Sequence, residues 1–254
     1  MLKSLNLIAP LAKEDGLTDG QIEQIFIIAG KAIGFRNTLI TGDIIKMGIE
    51  CITPLVARRQ LSVDQIVTLT GMTIEKEYRA GEKKGPEFIS SLIARGPLSD
   101  KQIVHLVMCA IRAYHKYDTA KALELIPLLQ EKDTLLHSLR EELFSAGYYY
   151  QIKSNIEKII IGNYLSKKEL LAFAEKLLMD PKEYLQEEFL GENIGEFVIL
   201  TIMSIEGIWE PELQNIWQSM LQKQESREWM QQFINKNISL VQALPGSQFL
   251  LSYL

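Results

Sequence analysis

At 254 residues, 47% hydrophobic and 8% aromatic, the chain is long and apolar enough to bury a substantial core, which excludes a disordered segment. Its two cysteines, Cys51 and Cys109, lie 58 residues apart within apolar helical patterns, which excludes a disulfide framework and points to a reducing compartment, the cytoplasm. The net charge of −5 is uneven: residues 1–116 carry 15 Lys/Arg against 12 Asp/Glu, and residues 117–254 carry 12 against 20, so a phosphate backbone would be repelled by the second half and nucleic-acid binding is disfavoured.

The chain opens Met1-Leu2-Lys3-Ser4-Leu5-Asn6-Leu7-Ile8, a short apolar run with one positive charge. Asn6 and Pro10 interrupt it, so it reads as mature structure and not as a signal peptide. Helical spacing then predicts segments at 4–13, 18–34, 40–58, 62–80, 85–95, 99–116, 119–131, 134–146, 148–162, 166–179, 181–190, 193–207, 210–223 and 226–243. Gly34, Gly81, Gly96 and Gly162 fall at expected helix ends, where a left-handed C-cap favours glycine. No Pro-rich or Gly/Ser-rich linker interrupts the series, so a single all-helical repeat domain over 1–254 is expected. The longest lipophilic stretch, Phe197 to Ile205, is too short to span a bilayer, and the protein is expected to be soluble.

Residues 48–69, GIECITPLVARRQLSVDQIVTL, recur at 85–106 as GPEFISSLIARGPLSDKQIVHL, with 12 of 22 positions identical. The centre of each copy is a helix start, and it recurs at Leu17-Thr18 and Leu165-Ser166. Thr18, Ser62, Ser99 and Ser166 stand at the N-cap, and Gln21, Gln65, Gln102 and Glu169 stand three residues on, where a side chain reaches back to the cap amide. The Leu before each cap and the Ile or Leu five residues later form the positions of a hydrophobic staple. Capping accounts for both residue type and spacing, so these Gln and Glu residues are read as structural and not as a ligand-reading set.

A second helical segment precedes each box: Ile8-Ala9-Pro10-Leu11 stands before Leu17 as Ile52-Thr53-Pro54-Leu55 stands before Leu61. A diverged copy is expected at Leu125-Ile126-Pro127-Leu128-Leu129, with a helix start near Thr134, and another start near Glu210-Pro211. Starts at Thr18, Ser62, Ser99, Thr134 and Ser166 are spaced by 44, 37, 35 and 32 residues. Two helices per unit at this period predict an all-α fold of stacked helix pairs forming an α-solenoid or a compact repeat bundle. Through its helix-pair period and the mid-helix Pro10 and Pro54 the layout resembles HEAT or armadillo-type repeats, from which it departs in placing Arg58 and Arg95 before the turn and not in the second helix.

The segment Arg79-Ala80-Gly81-Glu82-Lys83-Lys84-Gly85 reads as an exposed connecting loop. Three consecutive tyrosines, Tyr148, Tyr149 and Tyr150, open a helix and cannot all face inward, so at least one presents its ring and hydroxyl to solvent or a partner. Gly147-Tyr148-Tyr149 downstream of Glu124-Leu125-Ile126-Pro127 is similar to the helical exchange domain that activates endosomal Rab GTPases. That resemblance implies nucleotide exchange, with Glu124 as the acidic residue and Tyr149 as its companion.

From Glu183 to Gln222 there are eight carboxylates and no Lys or Arg. Glu183, Glu187, Glu188 and Glu192 belong to this run, which reads either as a solvated helix face or as a patch that steers a basic protein partner. Trp209, Leu213, Ile216, Trp217 and Met220 stand at helical spacing and are expected in the core. His105, His115 and His137 lack metalloprotease spacing, and no glycine-rich phosphate loop or nucleophile elbow is present, so neither metal nor cofactor is expected. A DNA glycosylase built on HEAT-like repeats would need a basic groove with exposed aromatics, which the acidic half does not offer. The composition thus favours a non-enzymatic protein–protein interaction or scaffold protein, with nucleotide exchange on a Rab-type GTPase as the alternative; the sequence sets neither partner identity nor oligomeric state.

Overall fold

All four capping boxes form. Thr18 N, Ser62 N and Ser99 N donate to Gln21 Oε1, Gln65 Oε1 and Gln102 Oε1 at 2.8, 2.9 and 2.9 Å, and Ser166 N donates to Glu169 Oε2 at 2.6 Å. The amide three residues after each cap returns a bond to the cap hydroxyl at 3.2–3.4 Å. Each box fixes where a helix begins, and the staple residues Leu61, Ile66, Leu165 and Leu170 are buried beside it.

The computed structural model describes residues 2–34, 41–80, 84–113, 116–142, 149–179 and 194–252, without the side chains of 41, 42, 76–80, 116–118, 149–151, 179 and 212. The elements are α1 (Leu2–Leu11), α2 (Asp19–Ile33), α3 (Thr41–Ala57), α4 (Val63–Ala80), α5 (Gly85–Ile93), α6 (Asp100–Arg112), α7 (Lys116–Leu123), a 3-10 turn (Ile126–Leu128), α8 (Asp133–Glu142), α9 (Tyr149–Ile161) and α10 (Lys167–Met179). They continue with α11 (Ile194–Met203), α12 (Pro211–Met220), α13 (Gln224–Lys236), α14 (Ile238–Gln242) and α15 (Ser247–Leu251). Among the described residues all of these elements are helical and none is a strand: the fold is all-α.

Two compact units make up the chain, Met1–Glu131 and Lys132–Leu254. In the first, the odd helices α1, α3, α5 and α7 neighbour one another in order, and so do the even helices α2, α4 and α6. Each even helix also lies against the odd helix that follows it, α2 on α3, α4 on α5 and α6 on α7. This is a stack of helix pairs in two layers. The second unit repeats the arrangement: α8, α10 and α12 are successive neighbours, α9 packs on α11, and α10 packs on α11. The short helices α14 and α15 follow α13, and the buried Gly246 between them lies on the Trp209 ring, where any Cβ would overlap it.

Close approach between layers is written into small residues. A Cβ on Gly48 would stand 3.0 Å from Ala29 O and 3.0 Å from Ala32 Cβ, so α3 lies nearly backbone to backbone on α2. Gly85 holds the same repeat position and is also buried. One expectation about glycine is corrected: Gly34 ends α2 in right-handed backbone (φ −73°), whereas among the described residues positive φ falls on Arg59 (59°), Asn163 (58°), Gly16 (83°), Gly96 (141°) and Gly207 (76°). Arg59 and Gly96 are counterparts in the repeat, so the turn demands positive φ even where a side chain must bear it.

Polar side chains tie each unit of the stack to the one before. Arg58, at the end of α3, donates to the carbonyls of Ala12 and Glu14 beyond the end of α1 and pairs with Asp15 at 3.0 Å. Arg95, its counterpart, donates to Leu61 O at 2.6 Å and Val56 O at 2.7 Å near the end of α3. The capping glutamines reach back on the other layer: Gln65 Nε2 donates to Glu23 (2.9 Å) and Gln102 Nε2 to Asp64 (2.7 Å). The Asp100 carboxylate accepts from the amides of Gln130 (3.1 Å) and Glu131 (2.8 Å). In the second unit the polarity reverses, because Glu169 accepts from Lys132 Nζ at 3.2 Å. Partial burial pushes the Glu169 carboxyl up, but hydrogen bonds from Ser166 and Lys132 outweigh it and hold the group below the ordinary glutamate value.

The expected boundaries hold to within a few residues except at two places. The single helix expected over 119–131 is α7 followed by the 3-10 turn, where Pro127 has no N–H to offer the carbonyl of Leu123; α3 by contrast runs on past Pro54. The helix expected over 226–243 divides at Asn237 (φ −118°, ψ 26°) into α13 and α14, and α15 was not foreseen. The segment 181–190 lies outside the described residues.

Replacing Arg95 with Ala removes two charge-assisted bonds to partly buried carbonyls, and it should destabilise the fold by about 2–3 kcal/mol in urea denaturation. Arg95→Lys should recover less than half of that loss, because one ammonium cannot span both carbonyls as a guanidinium fork does.

Candidate interaction surface

The carboxylates Glu183, Glu187, Glu188 and Glu192 and Tyr148 lie outside the described residues, as do 81–83 of the segment 79–85; the exposed connecting loop expected there is shorter than its seven residues, because Arg79 and Ala80 end α4 and Gly85 opens α5, buried. Tyr149 and Tyr150 open α9, with their side chains outside the description. Glu124 follows the end of α7, exposed, with Lys121 Nζ 2.7 Å from its Oε2. It therefore stands beside a cation of its own turn, in the first compact unit, whereas Tyr149 belongs to the second.

The rest of the acidic run is partly neutralised by lysines distant in sequence. Glu196 accepts from Lys236 at 3.2 Å, and Glu210 accepts from Lys167 at 2.7 Å, so these two carboxylates join helices of the second unit. Exposed pairs of this kind contribute up to about 1 kcal/mol each, enough to orient a helix end and little more. Glu206 remains exposed.

The aromatic stripe is core, as its spacing predicts. Trp209 stacks on Trp217 with ring centroids 4.9 Å apart, and its Nε1 donates to Met203 O at 2.9 Å. Trp229 stacks on Phe233 at 5.0 Å, and both are buried. Trp209, Leu213, Trp217 and Met220 are buried, while Ile216 is half-buried.

Cys51 is buried and its thiol is pushed up to about 11, mainly by burial and secondarily by Glu50, so it is inert at neutral pH. Cys109 is also buried, with Sγ 3.7 Å from Nε2 of His105 one helical turn earlier. Both side chains pack where a Cβ on Gly71 of α4 would come within 2.8 Å of each. The rim of His105 reaches solvent, yet desolvation of its ring against α4 lowers its pKa, with Glu75 opposing and Arg112 reinforcing the shift. A thiol enclosed in this way is a packing group, not an accessible nucleophile. Among the described residues no cluster of His, Cys, Asp and Glu could hold a metal ion, and no helix is long and apolar enough to cross a membrane.

Part of the remaining surface is apolar. Leu7, Leu128, Ile161 and Leu240 are the most exposed large hydrophobic residues, with Leu2, Leu11, Ile27, Ile93 and Ile238 less so. Sequence reasoning passed over these, because a leucine at helical spacing is read as core until its neighbours are known. Leu7 and Leu11 had a usable signal in the repeat itself, taken up below. No family model, curated protein or solved structure matches the chain.

The His105 shift carries a pH consequence. A histidine with its folded-state pKa below the unfolded value of about 6.5 leaves stability intact above that pH and withdraws it as pH falls through the window below. The urea midpoint should therefore drop between pH 7.5 and pH 5.5, and His105→Gln should flatten that part of the profile.

Proposed function

We infer that the chain is a non-enzymatic interaction or scaffold protein of HEAT/armadillo-like helical repeats, acting in the cytoplasm on another protein. The observation that carries this reading is how the repeated polar residues are used. Gln65 and Gln102 close a capping box with one end of the amide and bind the preceding even helix with the other, and Arg58 and Arg95 cap carbonyls of the preceding helix pair. Residues that recur with the repeat serve the stack, leaving function to exposed helix surfaces, as in other helical arrays.

Two surfaces are assigned to the partner by their sequence chemistry: Tyr148–Tyr150, and the carboxylates Glu183, Glu187, Glu188 and Glu192. Their composition suits a basic protein. The reading also keeps the chain as one domain, because helix starts continue at similar spacing from Ser99 through Thr134 to Ser166, across the boundary between the two units. One calorimetric unfolding transition is the outcome expected for 1–254; two resolved transitions would divide the domain.

Capture of partners from lysate, identified by mass spectrometry, should recover a basic protein at low salt and lose it at high salt. Reversing Glu187 and Glu188 to lysine should slow its association without altering the fold. Recovery of a small GTPase, with nucleotide release accelerated by the protein and abolished by Glu124→Ala, would replace this reading with exchange activity.

A further inference from the structure

The stack contains its own template for what covers an open helix. On α3, Gly48, Cys51 and Leu55 stand at i, i+3 and i+7 and share one face. Gly48 turns that face to α2, since a Cβ on it would stand 3.0–3.1 Å from atoms of Ala29, Ala32 and Ile33, and Cys51 and Leu55 on the same face are both 0% exposed. On α5 the same positions are Gly85, Phe88 and Leu92, with Phe88 2% and Leu92 0% exposed, and α4 packs on that helix. On α1 they are Ser4, Leu7 and Leu11, another small residue followed by two apolar ones. Leu7 is 72% and Leu11 37% exposed. The composition of a covered face is there, and among the described residues nothing covers Leu7.

A polar counterpart accompanies it. The even helix that covers α3 also supplies Glu23 to Gln65 Nε2, and the one that covers α5 supplies Asp64 to Gln102 Nε2. Gln21 is the equivalent capping residue of the first pair. Its Oε1 closes the box, and its Nε2 has no acceptor among the described residues. Apolar and polar vacancies thus stand at the two positions that a single helix satisfies elsewhere in the stack.

We propose that the Ser4–Leu7–Leu11 face of α1 is a docking site for one amphipathic α-helix of a partner protein, lying on α1 as α2 lies on α3. The partner helix carries a carboxylate in its first turns, for Gln21 Nε2. About two to three turns further on it presents small and aliphatic residues to Leu7 and Leu11, the separation of Glu23 from Ala29, Ala32 and Ile33 in α2. A second copy of this chain does not supply that helix from α1 or from its exposed apolar segment 238–252. Neither α1 nor the exposed apolar residues of the C-terminal helices, Ile238 and Leu240, come with an acidic residue, since 1–13 and 238–252 contain no Asp or Glu. The site deepens the interaction reading but is independent of the acidic surface, because contact with leucines persists at a salt concentration that screens charge.

The test uses the full chain and a lactam-bridged helical peptide copying residues 61–80, in which Asp64 is the first-turn carboxylate and the bridges sit on the face turned away from α5 in the parent. Titration should show saturable binding, with α1 amides gaining protection from hydrogen exchange. Leu7→Lys in the protein should weaken it at least about tenfold, as expected for losing one buried leucine. Gln21→Ala, and Asp64→Asn in the peptide, should each weaken it about threefold or more, with little further loss when combined. Leu7 is exposed, so its replacement leaves the protein folded, which circular dichroism verifies. No binding at about 1 mM peptide, a peptide affinity far below that of any physiological helix-in-groove contact, overturns the proposal. Binding indifferent to Leu7→Lys does so too, as does concentration-dependent dimerisation of the protein alone that Leu7→Lys abolishes. Loss of the salt-sensitive basic partner with peptide binding intact would discard the acidic surface and leave this site standing.

Discussion

A primary amide has an acceptor at one oxygen and donors at one nitrogen, and the capping glutamines Gln65 and Gln102 use both. Oε1 receives the N-cap amide and defines where its helix begins; Nε2 binds a carboxylate on the even helix before it. Start and neighbour are therefore coupled through one side chain, and the even helices come into register at their N-terminal ends. The odd helices are joined at their C-terminal ends by Arg58 and Arg95. Between these two polar edges lies the apolar interior, with Gly48 and Gly71 allowing neighbouring helices to approach closely. Burial of side chains such as Ile49, Leu55, Ile66 and Leu92 supplies the larger share of stability, at about 25 cal/mol per Å² of apolar surface. The polar edges contribute less energy and more specificity, because a helix displaced by one residue would leave an amide or guanidinium without its acceptor.

How much of this was legible depended on whether both partners in an interaction were side chains at fixed separation. The boxes were, since Ser or Thr and Gln or Glu stand three residues apart within one helix. The lateral bonds were not: Glu23 and Asp64 occupy different positions relative to their own boxes, so no spacing identifies them as equivalent acceptors. Arg58 and Arg95 recurred visibly at 37 residues, yet they bind backbone carbonyls, which every residue possesses and no letter marks. The break at Pro127 was there to be read, and the helical period around it concealed it. Asn237, whose Nδ2 returns a bond to Phe233 O at 3.0 Å, ends α13 by local competition for that carbonyl. As for candidate sites, the role considered for Glu124 left out Lys121 three residues earlier, and the Tyr148–Tyr150 and Glu183–Glu192 side chains fall outside what the structure describes. The open face of α1 became legible only when exposure was compared across equivalent positions.

The reversal at Glu169 gives the stack joints of more than one kind. Where Gln65 and Gln102 donate to an acid behind them, Glu169 accepts from Lys132. A pair bounded by the first kind can be removed or duplicated and the surviving ends still match: without residues 48–84, Gln102 would inherit Glu23. Inserted at the second kind, the same pair would set an amide where an ammonium expects a carboxylate. Growth by duplication is thus chemically open on one side of the chain and closed on the other, and the close likeness of 48–69 to 85–106 beside the divergence of later copies is the record such an asymmetry would leave.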